Sequence, residues 1–155
     1  MAHMSDLKDK LRTDLTASIK ARDGLRSSTL RMVLTSITNA EVSGKQAREL
    51  SDDDVTSVLA SESKKRRESA TAFEDAGRSE LAAKERAESA IIAEFLPEPM
   101  TDDEITALVA KTIDELGVAG DGMKAMGRVM GVVSPQVKGR ADGGAVSAEV
   151  RRQLG

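Results

Sequence analysis

From Ser5 onward the apolar residues recur at helical intervals. Leu7, Leu11, Leu15 and Ile19 stand four apart, with Asp6 and Asp9 near the start, where a helix dipole favours anions. The spacing predicts a first helix ending near Asp23-Gly24. A second places Leu30, Val33, Leu34 and Ile37 on one face, carries the Ser27-Ser28 pair near its start, and runs out around Val42-Ser43-Gly44. The polar stretch GKQAREL then suits a short helix connection. Ser51 ahead of Asp52, Asp53 and Asp54 reads as an N-cap with an acidic first turn, and no further carboxylate cluster supports metal ligation there. In the third helix Val55, Leu59 and Phe73 share a stripe with Glu62, Arg66 and Ser69, so its inner side is only partly apolar. Glu62 and Arg66, four apart, read as an ion pair. The run Lys64 to Arg67 reads as a solvated face, with a second polyanion contact as its alternative. Gly77 stops this helix, and Ser79-Glu80 starts a fourth whose buried positions are Leu81, Ile91, Ile92, Phe95 and Leu96.

Pro97 and Pro99 interrupt any helix, and Thr101-Asp102-Asp103-Glu104 is a new cap. A fifth helix follows with Ile105, Leu108, Val109, Thr112 and Ile113, ending at Leu116-Gly117, and Gly120-Asp121-Gly122 makes the turn. On the sixth, Met123, Met126, Met130, Val133 and Val137 fall on one side with Gly127 among them. That stripe reads as core, and the glycine as close approach of a neighbouring helix. Pro135 must distort or end this helix late. Asp142 reads as the N-cap of a last helix with Val146, Val150 and Leu154 as its apolar line. Only helical periods appear. The expectation is an all-α chain: an N-terminal domain of about four helices over 5–98, a three-helix domain over 99–155, and a boundary at Leu96 to Thr101.

With 155 residues, 39% of them hydrophobic, the chain can build modest helical cores. The only histidine, His3, lies in MAHM. Residues 1–4 read as a cloning remnant leading to a natural start at Met4. No apolar run approaches the length of a membrane span and no leader is recognisable, so a cytoplasmic location without membrane association is expected. Phe73 and Phe95 are the only Phe, Tyr or Trp residues, which argues against binding single strands by stacking bases on aromatic platforms.

Charge is distributed unevenly. Between Met123 and Leu154, Lys124, Arg128, Lys138, Arg140, Arg151 and Arg152 face only Asp142 and Glu149, a net +4 in a chain whose total is −3. A polyanion met through phosphate contacts is the partner this asymmetry predicts, and those six cations are the candidate RNA-binding residues. Catalytic parts do not assemble on the page. The chain has no cysteine, no G-x-S-x-G elbow, no Walker loop and no G-x-G-x-x-G, so no catalytic residue, metal site or cofactor is expected. Gly143-Gly144 at a helix start is a weak phosphate cradle beside Asp142.

Gly127-x-Val129-Met130, Gly139-Arg140-Ala141-Asp142, Val146-Ser147 and Val150 before Leu154 resemble the signature of the GatB/YqeY family. Ser28-Thr29-Leu30-Arg31, Asn39-Ala40-Glu41, Lys64 to Ser69, Ala76-Gly77-Arg78 and Phe95-Leu96-Pro97 resemble its free-standing YqeY-like branch. The resemblance implies a helical N-terminal domain and a C-terminal domain similar to the tail of the GatB subunit of tRNA-dependent amidotransferase. In that enzyme the tail contacts the tRNA elbow, while the amidation chemistry resides in other domains and subunits. Gly143-Gly144 departs from the pattern, because amidotransferase tails tend to carry Pro and a basic residue there. The implied role is a non-catalytic, tRNA-binding or tRNA-enzyme-associated accessory protein, with a monomer favoured. The alternative is an interaction module for an aminoacyl-tRNA synthetase or amidotransferase subunit, met through the N-terminal domain without direct RNA contact.

Overall fold

The computed structural model describes residues 5–155, and the segment 1–4 read as a cloning remnant lies outside them. Among the described residues there are seven α-helices, one 3-10 turn and no strand. The chain divides into two compact units, one ending at Leu96 and the other running Pro97–Gly155.

The first unit holds α1 (Asp6–Lys20), α2 (Gly24–Val42), α3 (Asp52–Asp75) and α4 (Ser79–Ala93). Its caps follow local chemistry. The Ser5 hydroxyl accepts from Lys8 N at 3.2 Å, and Asp23 accepts from Arg26 N at 3.1 Å. Ser51 and Asp54 form a capping box at the start of α3. Asp52 accepts from the Ser5 hydroxyl and from Leu7 N, and Asp54 pairs with Arg48, so two of the three aspartates also tie neighbouring segments together. Gly77, at φ 74°, turns α3 back into α4. The residue at the N-cap of α4 is Arg78, not Ser79.

Leu11, Leu30, Val33, Ile37, Leu50, Val55, Leu59, Ile92 and Phe95 form the core of this unit. Each side chain taken fully out of water contributes roughly 1.5–3 kcal/mol before entropy is charged against it. Three expectations shift. A step of four residues advances about 40° beyond a full turn, so Leu11 is buried, Leu7 and Leu15 flank it, and Ile19 has rotated out to 47% exposure. Leu81 is 40% exposed and Ala82 takes its inward place. Leu50, inside the polar connection, is buried.

Where α2, α3 and α4 meet, a polar network replaces apolar packing. Glu62 accepts from Arg66 Nη1 and from the Ser36 hydroxyl, both at 2.9 Å. Arg66 Nη2 reaches the Met32 sulfur at 2.9 Å, and its Nε lies 3.5 Å from Glu88. Ser63 and Ser89 share a buried hydroxyl contact at 2.9 Å. Two carboxylates around one guanidinium satisfy charge where an unpaired ion would be costly.

The second unit holds α5 (Asp102–Leu116), the 3-10 turn Gly122–Ala125, α6 (Met126–Val137) and α7 (Gly143–Leu154). Thr101 and Glu104 make a capping box, and Gly117 at φ 67° ends α5 in the left-handed conformation that glycine adopts without strain. Ile105, Val109, Ile113, Val118, Ala125, Val129, Val133, Val137, Val146, Val150 and Leu154 form a core of their own. The methionine stripe expected inside α6 is displaced. Met123 is 49% exposed, Met126 and Met130 only flank the core, and Val129 is wholly buried. The 3-10 turn at 122–125 is the reason, because a tighter turn resets the helical phase before α6 begins. Pro135 fits in the last turn of α6.

Candidate functional site

The six cations singled out from sequence lie on three consecutive pieces of the second unit. Lys124 is in the 3-10 turn, Arg128 is in the first turn of α6, Lys138 is its C-cap, Arg140 lies in the following turn, and Arg151 and Arg152 sit in the last turn of α7. Local physics places several of them. The first turn of α6 carries no acidic residue, leaving its partial positive charge uncompensated near Lys124 and Arg128. Cations in the last turn of α7 complement its negative end.

The structure separates these cations into two kinds. Lys124, Arg128, Lys138 and Arg151 are exposed and form no ion pair with a described residue. Arg140 and Arg152 are engaged. Arg140 Nε donates to the Glu98 carbonyl at 2.8 Å, its carbonyl accepts from Met100 N at 2.9 Å, and its Nη2 lies 3.8 Å from Glu104. It therefore fastens the segment entering α5 to the turn between α6 and α7. Arg152 grips Glu149 with two bonds of 2.7 and 2.6 Å. Arg152, then Gln153, hold the Glu149 carboxyl down to about 2. Gln153 also donates to the Thr106 carbonyl at 3.0 Å, tying α7 to α5.

The outward side of α6 is built from Gly127, Arg128, Gly131, Val132 and Pro135, all exposed. At about 100° per residue their arc is centred opposite the arc of Val129, Val133 and Val137. Gly127 thus lies away from the core, where a Cβ would meet nothing within 4 Å, and does not serve the close helix approach expected of it. The exposed glycine pair went unrecognised because the valines, which mark the inner face, were weighed less than the methionines.

Asp142 occupies the N-cap position of α7, though its side chain makes no capping hydrogen bond. Within Pro97–Gly155, seven lysines and arginines face nine aspartates and glutamates, so the unit as a whole is not basic. Its acids gather on α5 and the flanking loops, and its cations on α6 and α7.

The basic run of α3 is largely consumed by the fold. Lys65 lies 3.5 Å from Glu62, Arg66 is in the polar network, and Arg67 donates to Ser63 at 2.9 Å. Among the described residues no three His, Cys, Asp or Glu side chains cluster as metal ligands, and no helix is long and apolar enough to cross a membrane.

Compared with known families, the chain matches the Yqey-like protein family over residues 8–154. No curated protein matches it.

Proposed function

The chain belongs to the Yqey-like family, and from that premise we propose that it is a non-catalytic accessory protein of tRNA metabolism that meets RNA through phosphate contacts on α6 and α7. The observation carrying this reading is the set Lys124, Arg128, Lys138 and Arg151, four exposed cations that no carboxylate of the described chain neutralises. Such residues position a folded polyanion without reading its sequence. The acids on α5 add orientation, since a phosphate backbone is attracted to one side of the unit and repelled by the other. The resemblance of this unit to the tail of GatB points to tRNA as the polyanion.

The contact set is narrower than the six cations of the sequence. Arg140 supports the fold and Arg152 is neutralised by Glu149, so the remaining four carry the binding. Replacing Lys124, Arg128, Lys138 and Arg151 by Ala is expected to weaken binding of a tRNA transcript and to lower the salt dependence by about one unit of slope per lost phosphate contact. Circular dichroism should be unchanged, and the same preparations should release no ammonia from glutamine. Unaltered affinity across a salt series, measured on folded protein, would shift the reading to a protein partner such as a synthetase or amidotransferase subunit.

A further inference from the structure

A helical arc turned to solvent is ordinarily filled with Ala, Glu, Lys, Gln or Arg, which favour the helix and keep it soluble. The outward arc of α6 holds instead two glycines, a valine, a proline and one arginine, with no acid anywhere in the helix. Glycine is the poorest helix former after proline. Neither Gly127 nor Gly131 has a positive φ that would require it, and an added Cβ at either would meet nothing within 4 Å. The fold of this chain therefore makes no use of the two missing side chains. They leave a strip of bare backbone, one turn long, that a partner can approach closely.

Charge decides which partner. Small residues four apart also suit a second helix, but a second copy of this face would bring Lys124 and Arg128 against their own counterparts, where like charges repel. A ribose-phosphate backbone has the opposite sign. Lys124 and Arg128 stand at the N-terminal end of the strip, where the dipole of α6 adds to their field. Val132 and Pro135, at the other end, offer apolar contact to sugar rings.

We infer that the outward face of α6 is the seat of the RNA backbone, which lies against the bare helix at Gly127 and Gly131 while Lys124 and Arg128 neutralise the adjoining phosphates. This rests on the RNA-binding reading above and adds to it the contacting face.

The test uses the full chain and a tRNA transcript over a salt series, with folding followed by circular dichroism and thermal melting, and mass by light scattering. Three double variants are compared with the wild type: Gly127→Ala with Gly131→Ala, Gly127→Leu with Gly131→Leu, and Lys124→Ala with Arg128→Ala. The alanine pair should melt at or above the wild-type temperature and yet bind less tightly. The leucine pair should lose roughly tenfold or more in affinity while keeping the wild-type salt slope, because every cation remains. The Lys124, Arg128 pair should lose affinity and flatten the slope. Wild-type affinity in a folded leucine variant, beside a weakened Lys124, Arg128 variant, overturns the assignment of the face and leaves RNA binding standing. Absence of binding by the wild type overturns both. Self-association of the wild type that the leucine pair abolishes, with RNA affinity untouched, gives the face to a second copy and overturns the inference. Should the leucine pair fail to fold, unchanged affinity in the alanine pair overturns it equally.

Discussion

Glu41 shows how much one side chain can be asked to do in a small helical unit. Its carboxylate accepts from Lys8 Nζ at 2.8 and 2.9 Å and from Leu50 N at 3.4 Å, joining α1, α2 and the connection that buries Leu50. Lys8 beside it holds the carboxyl below its ordinary value, with the Leu50 amide assisting. A folded-state value below the unfolded one means that the stabilisation is fully present above the ordinary carboxylate range and is lost as pH falls through the folded value. Glu41→Gln should cost about 2 kcal/mol near neutral pH, since it leaves Lys8 half-buried beside a neutral amide. It should also make the decline in urea midpoint between about pH 6 and pH 3 shallower than in the wild type. A variant with the same acid profile as the wild type would assign that decline to other carboxylates. Neither Lys8 nor Glu41 stands out in the sequence, because 33 positions separate them and only the packing of α1 on α2 brings them together.

At the scale of elements the helices announce themselves through caps and stops, while their rotation about their own axes does not. Ser51, Thr101, Gly77 and Gly117 mark ends by chemistry that acts within three or four residues, and each is found where that chemistry needs it. Rotation is a longer-range matter. In α1 a strict four-residue repeat drifts around the helix, and in α6 a 3-10 lead-in shifts the phase of everything that follows. The register of α6 can be checked directly. Val129→Ala should destabilise the second unit by roughly 2 kcal/mol, and Met123→Ala should stay within about 0.5 kcal/mol of the wild type, as judged by urea denaturation. The reverse order would restore the methionine stripe to the core and remove the bare glycine strip from the surface.

For the whole molecule, the two separate cores make fragments informative. A chain beginning at Pro97 retains the Arg140 bond to the Glu98 carbonyl and the Met100 bond to the Arg140 carbonyl, with Met100 packed on the core. One beginning at Thr101 loses all three. Pro97–Gly155 should therefore be more helical and melt at a higher temperature than Thr101–Gly155, although fewer than about 70 residues give any single core a narrow margin. Equal helicity in the two fragments would show that the strap from 98 to 100 adds nothing. Charge is divided on the same scale, with acids on α5 and exposed cations on α6 and α7, so removing net charge uniformly would hide an effect that removing one face reveals.

The all-helical class, the order of the helices and most of their ends follow from the sequence, because hydrophobic period and capping act over a turn or two and need no distant partner. The basic character of the last 30 or so residues is equally a property of the chain. What tertiary structure alone decided is which of those cations remain available. Arg140 looks equivalent to Lys138 in sequence, yet it is drawn back to Glu98 by a contact 42 positions long, while Arg152 closes on Glu149 and Arg151 does not. The polar centre of the first unit has the same origin: Glu62 and Arg66 declare an ion pair by their spacing, but Met32, Ser36 and Glu88 reach it only once α2 and α4 are packed against α3. Which carboxylate meets which cation depends on distances between helices, and these are set by core packing that no local pattern encodes.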